Sequence, residues 1–466
     1  MKKLLNWIIP AVFGIGLWFI PTPEGLTPQS WHLFAIFVAT IVGFITQPLP
    51  IGGVSIVVIT VAALTGTLKI GEAISGFANS AIWLIVGAFL FSRGFIKTGL
   101  GKRIAYNLIA AFGSSSLRLA YALALSDLIL APATPSNTAR VGGVIMPITT
   151  SLAKAFGSEP QDGPRKIGSF LMQSIYQVNT ITSAMFQTSM AGNTLVAALA
   201  LQSFGIGITW GDWAMAAIVP GIIALIIMPY FIYKAYPPEI KDAREAQQMI
   251  REELKGLGKM SFQEWVMLGV FILALVLWAT SQLTHLDATT VAFLGISILL
   301  ATGVLIWDDV KSEKGAWDTL VWMGTLMGFA GFLSKLGFIK WATVLVGGYI
   351  PEGSWIIAFV IAVVINTYSH YVFASLTAHI SAMFVAFSAI AISAGAPPML
   401  TLLMIAFTSN LCMSLTHYAA GPSPVIFNTG YVPQNTWWKL GFFASVINLI
   451  IFMGLGSVWM KAIGMW

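Results

Sequence analysis

Pro135-Ser136-Asn137-Thr138-Ala139-Arg140 and, 239 positions later, Ala374-Ser375-Leu376-Thr377-Ala378-His379 are the stretches on which the fold turns. Each is a short run of hydroxyl, amide and small side chains inside an apolar segment, about 118–153 for the first and about 355–394 for the second. A span needs roughly 20 apolar residues; both segments are too long for one crossing and too broken for two. Non-helical backbone at membrane depth survives only where protein or a cavity covers it. Each segment is therefore expected to be a re-entrant hairpin with its motif at the tip. The offset recurs elsewhere: 239 relates Trp83 to Trp322, and 238 relates Gly99 to Gly337. Ala191-Gly192-Asn193 and Ala420-Gly421-Pro422 follow the two hairpins in turn.

Outward from these motifs the chain is almost entirely membrane. Of 466 residues, 57% are apolar and 9% charged, and the mean hydropathy is +0.83. Soluble domains carry about 25% charge, so a water-soluble enzyme is excluded. The expected fold is an all-α polytopic membrane protein with full crossings near 1–20, 30–47, 50–68, 80–98, 167–201, 212–235, 265–283, 288–307, 317–335, 396–428 and 437–460. The start at Met1-Lys2-Lys3 has the look of a signal peptide. No small-residue cleavage site follows it, and Pro21-Thr22-Pro23-Glu24-Gly25 comes instead, so it is kept as a span. Residues 1–29 then form a first helix and link, 30–236 a first repeat, 237–264 a hydrophilic cytoplasmic linker helix, and 265–466 a second repeat. Five crossings per repeat is an odd number, so the repeats are inverted. Inverted repeats with broken helices are the architecture of secondary transporters, whose substrate sits where the repeats meet.

Charge sets the orientation. With the N-terminus inside, 19 Lys and Arg fall on the cytoplasmic side and 4 outside, with Arg140 left at membrane depth, as the positive-inside rule requires. The net charge of +6 therefore speaks for membrane orientation and not for a nucleic-acid partner. Lys102 to Leu117 is expected to lie along the interface. The single Cys412 excludes an intramolecular disulfide and any cysteine metal cluster. No nucleotide loop, HExxH or haem pattern occurs, which argues against an ATP-driven pump, metal catalysis and any cofactor.

The motifs suit an anion. Hairpin tips and helix breaks present backbone N–H groups and positive helix ends, and Ser136, Asn137, Thr138, Ser375 and Thr377 add neutral donors. Arg140 and His379 stand four residues beyond each serine, where they reach a carboxylate directly or hold the tip. The alternatives are plain: Ser, Thr and Asn also glue membrane helices together, Arg140 also snorkels to headgroups, and His379 also bonds a backbone carbonyl. Asp127 caps a helix, pairs with Arg118 or Arg140, or meets the ligand directly. His370 and His417 are as readily structural.

At these residues the sequence resembles the divalent anion/sodium symporter (DASS) family, and within it the dicarboxylate exchanger branch. The likeness is carried by Trp83-Leu84-Ile85-Val86, Arg93 to Gly101, Pro135 to Arg140, Ile181 to Phe186, Phe373 to His379 and Leu415-Thr416-His417-Tyr418. The resemblance implies two Ser-Asn-Thr tips facing each other across the substrate, each lending groups to a sodium site in the symporters. It also implies a homodimer whose transport domain moves like an elevator against a scaffold. Here Leu376 replaces the second asparagine; its side chain cannot ligate sodium, in keeping with the exchangers. Gly192, Gly421 and Pro422 match the family's helix breaks, while Gly421-Pro422-Ser423-Pro424 departs from the symporters' Thr-Pro. The expected substrate site is thus Ser136, Asn137, Thr138, Arg140, Gly192, Asn193, Ser375, Thr377, His379, Gly421, Pro422 and Ser423. The expected function is sodium-independent exchange of C4–C5 dicarboxylates across a cytoplasmic membrane. A sodium-coupled dicarboxylate or citrate symporter is the alternative within transport; a membrane enzyme or an anion channel is the alternative outside it.

Overall fold

The computed structural model describes the backbone of residues 2–347 and 355–466. The all-α polytopic fold is the one observed: the ordered elements among the described residues are helices, and the one β-bridge joins Ser115 to Asp242. Local signals place many helix ends. Thr27 caps Pro28–Thr46 by accepting from the Ser30 N–H, with Pro28 in the first turn. Capping boxes open Trp210–Ala235 at Thr209 and Asp212, and Phe262–Ala279 at Ser261 and Glu264. Such caps satisfy N–H groups that a helix leaves free. Ser80–Thr98 stops at Gly99, whose φ of 74° is a left-handed conformation that suits glycine.

Among the described residues nine helices are long and apolar enough to cross a membrane, and Ser116–Ala133, Trp355–Val372 and Leu376–Ser393 among them are hairpin arms. Two helices expected as crossings, Gly168–Met185 and Lys314–Lys335, lie outside that set although they have 18 and 22 residues. The reason is physical. Every residue of Gly168–Met185 is buried, so Gln173, Gln177, Asn179 and Thr182 face protein and not lipid. Hydropathy measures what a helix shows to lipid, and this helix shows it nothing.

The halves repeat one succession of elements. Ser80–Thr98 and the shorter Leu100–Phe112 lead into the first hairpin, whose arms Ser116–Leu130 and Met146–Ala155 flank a break at Thr134 and Pro135. The broken helix Gly168–Met185 and Ala191–Phe204 follows, then Trp210–Ala235. In the second half Lys314–Lys335 and Phe338–Gly347 precede the hairpin Trp355–Ser369 and Leu376–Ser393, and then come the broken helix Pro398–Leu411 and Pro422–Phe427, and Gln434–Leu449. Between the halves runs the polar helix Arg244–Gly256, which buries Ala246, Gln247 and Ile250. It docks on Leu100–Phe112, where Gln247 Nε2 and Arg251 both donate to the Ala110 carbonyl at 2.9–3.1 Å. Nearby, Arg103 pairs with Glu264 and donates to the carbonyls of Leu257 and Gly258.

The halves interlock crosswise at their breaks. A Cβ added at Gly421 would lie 2.1 Å from Thr138 Oγ1, and one at Gly192 would lie 2.6 Å from Ile380 Cδ1. Each hairpin thus presses on the broken helix of the other half, at a glycine that leaves it room.

Candidate functional site: a cavity between the two hairpin tips

Two serines build the tips. Ser136 caps the helix that starts at Asn137, its hydroxyl oxygen accepting from the Ala139 N–H at 3.1 Å. Ser375 caps Leu376–Ser393 in the same way, accepting from the Ala378 N–H at 3.3 Å. Because each oxygen serves as acceptor, each O–H remains available as a donor. Both tips open on one cavity of about 350 Å³. Ser136, Asn137 and Thr138 line it on one side and Ser375, Leu376 and Thr377 on the other. Met190 and Ala191 reach it from the first break, and Ala420 and Gly421 from the second.

No charged side chain lines this cavity among the described residues. Its polarity comes from neutral hydroxyl and amide groups beside the starts of two helices, an arrangement that favours anions. Arg140, expected to offer its charge to a carboxylate directly or to hold the tip, does not line the cavity and turns into the protein. It is 1% exposed, and its N–H groups all have partners inside the protein. Nε donates to Asp127 at 2.8 Å, Nη1 to the carbonyls of Thr134 and Ser189 at 2.8 and 3.0 Å, and Nη2 to the hydroxyls of Thr182 and Ser183 at 3.3 Å. A substrate contact would have to displace one of these. Asp127 in turn accepts from Asn179 and Thr182, so the ion pair ties both arms of the first hairpin to the first broken helix.

His379 also stands behind its tip, fully buried, with Nε2 2.9 Å from Ser369 Oγ. The offset of 239 that relates Arg140 to His379 relates Asp127 to Asn366. Asn366 Nδ2 donates to Ser409 Oγ at 3.1 Å, a neutral counterpart of the bonds that Asp127 makes to Asn179 and Thr182. One half holds its tip with an ion pair and the other with amide and imidazole.

The remaining candidates shape the breaks. Asn193 Nδ2 donates to the carbonyls of Ser183 and Phe186 at 2.7 and 2.9 Å, a duty at the interrupted helix that it shares with the Ser189 hydroxyl. Gly192 lets Ile380 approach, and Pro422 opens Pro422–Phe427 without needing a donor. Ser423 Oγ accepts from the Ala420 N–H at 3.0 Å and bonds Tyr176 Oη at 2.8 Å. These residues, Arg140 and His379 do not line the cavity; Gly421 does.

Sequence reasoning missed the facing wall, made of Gln47, Phe89, Thr319 and Trp322. Trp322 was visible as the partner of Trp83 in the repeat. Gln47 carries a weaker signal: it precedes Pro48-Leu49-Pro50 and takes a φ of 46°, unusual for a residue other than glycine.

The family model for the sodium:sulfate symporter transmembrane region matches residues 1–466. YflS of Bacillus subtilis, provisionally named a malate transporter, is 52% identical, with 100% of this chain and 97% of that protein covered. Dicarboxylate transporter 1 of the Spinacia oleracea chloroplast is 47% identical over 100% of this chain and 82% of its own length. Among solved structures, the YdaH transporter of Alcanivorax borkumensis superposes with a TM-score of 0.51 at 12% identity, covering 100% of this chain and 97% of that one. That likeness concerns the fold alone.

Proposed function

Because the chain belongs to the family of the sodium:sulfate symporter transmembrane region, whose members named above are transporters and not enzymes, we propose that it carries C4–C5 dicarboxylates by sodium-independent exchange. Candidate substrates are 2-oxoglutarate, malate, succinate and fumarate. The observation that carries this reading is the uncharged cavity between the tips, where neutral donors and helix starts come from both sides. Two such ends suit a molecule with a carboxylate at each end. The printed names of the Bacillus and spinach relatives support the same substrate class.

The exchange mode rests on Leu376. Its apolar side chain faces the cavity where a second asparagine would offer a carbonyl oxygen to sodium, a hard ion that takes oxygen ligands. Ser136, Asn137, Thr138, Ser375 and Thr377 then act as the donors for the two carboxylates. Arg140 and His379 hold the tips, and Gly192, Asn193, Gly421, Pro422 and Ser423 shape the breaks. We read residues 30–236 and 265–466 as the two repeats, joined by the linker at 237–264 and preceded by the helix and link of 1–29. In this reading the hairpins and broken helices move as an elevator, in a homodimer, in a bacterial cytoplasmic membrane.

Counterflow tests it. Proteoliposomes loaded with succinate should take up labelled malate at a rate indifferent to sodium, and empty ones should take up little. Uptake into empty vesicles that rises with external sodium would replace exchange by symport, the reading that the intact Ser136-Asn137-Thr138 tip favours. Absence of dicarboxylate uptake under both conditions would overturn the substrate class.

A further inference from the structure

We propose that His370, His379 and Cys412 form a binding site for one soft monovalent cation, of the class of Cu⁺ and Ag⁺. All three side chains are fully buried, and one nitrogen of each ring and the Cys412 sulfur lie within 4.8 Å of one another. The two rings meet edge to face, with centroids 4.8 Å apart.

The hydrogen bonds fix which nitrogens are free. His370 Nε2 lies 2.8 Å from the Ala419 carbonyl, an acceptor only, so Nε2 carries the proton. The Ser369 hydroxyl donates to the Asn366 carbonyl at 2.9 Å, so it accepts from His379 Nε2–H. In both rings Nδ1 is left with its lone pair, buried and without a hydrogen-bond partner. Outer partners that hold the far nitrogen protonated are the usual support of metal-ligating histidines. Two unpaired lone pairs in a desolvated place are otherwise unfavourable.

The repeat supplies a second argument. The offset of 229 that relates Gly192 to Gly421 relates Ser183 to Cys412, and 239 relates Arg140 to His379. The cluster therefore occupies the place in the second half that the Arg140 guanidinium, bonded to Ser183, fills in the first. There the cation is balanced by Asp127; here Asn366 is neutral, and the thiolate of Cys412 must supply the balancing charge. Binding exchanges the thiol proton for the metal: Cys–SH and M⁺ give Cys–S–M and H⁺, the proton leaving to solvent. A monovalent ion gives a neutral site, whereas a divalent one would leave a net positive charge at membrane depth, which is costly. Thiolate and imidazole are also the ligands that soft ions prefer. Bonds of about 2.0–2.3 Å, typical of zinc, another d¹⁰ ion, set ligand atoms about 3.5–4 Å apart. About 1 Å of side-chain movement closes the site.

The test uses purified full-length protein and Ag⁺ alone. Equilibrium dialysis should find one ion retained per chain, X-ray absorption at the silver edge should show one sulfur and two nitrogen neighbours, and the melting temperature should rise. Cys412→Ser should abolish retention, and His370→Gln should weaken it at least tenfold. Failure of the wild type to retain silver overturns the proposal. So does a sulfur-only environment, or undiminished affinity in His370→Gln, because a thiol alone would then account for binding. Should Cys412→Ser not fold, the wild-type spectrum and His370→Gln still decide.

Discussion

Asn410 Nδ2 donates to Asn193 Oδ1 at 2.7 Å, a bond from the helix before the second break to the helix after the first. Both residues are fully buried, and Asn193 spends its own amide hydrogens on the carbonyls of Ser183 and Phe186. The two losses should therefore be unequal. Asn410→Ala leaves one acceptor unpaired, at about 1–3 kcal/mol. Asn193→Ala breaks three bonds at once, the one from Asn410 and the two to the break carbonyls, which keep the Ser189 hydroxyl as a donor, so its melting temperature should fall further. Thermal unfolding of both variants in one detergent checks the order.

Arg140 should tolerate no substitution. Removing one partner from a buried pair costs about 3–5 kcal/mol, and Arg140→Gln leaves Asp127 without its cation. Arg140→Lys keeps the charge but cannot reproduce the planar fork that serves Asp127, Thr134, Ser189, Thr182 and Ser183. Both variants are expected to unfold at lower temperature and to lose most uptake in proteoliposomes. Wild-type transport by Arg140→Lys would show that the fork is dispensable.

Gly421 is the tighter of the two interlocking glycines. In Gly421→Ala the new methyl meets Thr138 Oγ1 at 2.1 Å, and the tip must retreat from the break. Uptake should fall at least tenfold, with the apparent affinity for dicarboxylate falling as well. Adding Thr138→Ala removes the clashing hydroxyl and leaves the Thr138 Cβ 3.3 Å away, so the double variant should recover its melting temperature but not its affinity. Initial rates over a range of malate concentrations separate the two effects.

Restoring the absent amide gives a gain-of-function test. Leu376→Asn places a carbonyl oxygen at the second tip, and uptake by this variant should respond to sodium where the parent does not. Parallel flux measurements in sodium and choline media read the difference.

Outside the long apolar helices Asp309 bonds Lys97 and lies near Arg93. Partial burial raises the carboxyl's pKa, but the hydrogen bonds from Lys97 and the Ile306 N–H, with the two positive charges, outweigh it and hold the group below the usual carboxylate range. A lowered folded-state value means stability that is present above the unfolded value, near pH 4, and lost as pH falls through the folded one. The melting difference between wild type and Asp309→Asn should thus be constant from pH 8 to 5 and shrink in stronger acid.

Orientation is checked by labelling. A cysteine at Glu252, exposed on the linker helix, should be shielded from an impermeant reagent in whole cells, and one at Glu24 should react. The native Cys412 is buried and adds no background.

The hairpins and breaks were legible because clusters of hydroxyl and amide residues stand out in an apolar chain, and their recurrence in the same order at near-constant offsets has few explanations. The direction of Arg140 was not legible. A cation four residues past a tip points equally well to a ligand or to its own hairpin, and only the fold brings Asp127, Thr182 and Ser183 around it. The wall of Gln47, Phe89, Thr319 and Trp322 was hidden for a related reason: it is assembled from three distant parts of the chain, and of its residues only Trp322 stood out, through the repeat. Helix Gly168–Met185 evaded a hydropathy criterion because its polar residues are buried within the protein and are not shown to lipid.

The ion pair of Asp127 with Arg140 lies wholly within the body formed by the first hairpin and its broken helix. Were that body to travel between the two faces of the bilayer, the buried pair would carry a dipole and no net charge. Moving one elementary charge through 100 mV is worth about 2.3 kcal/mol. A buried pair that cancels leaves that work to the cargo, and a dianion traded for a dianion returns it in full. Strict exchange would then be electrically silent, its direction set by the concentrations of the two anions and not by the membrane voltage.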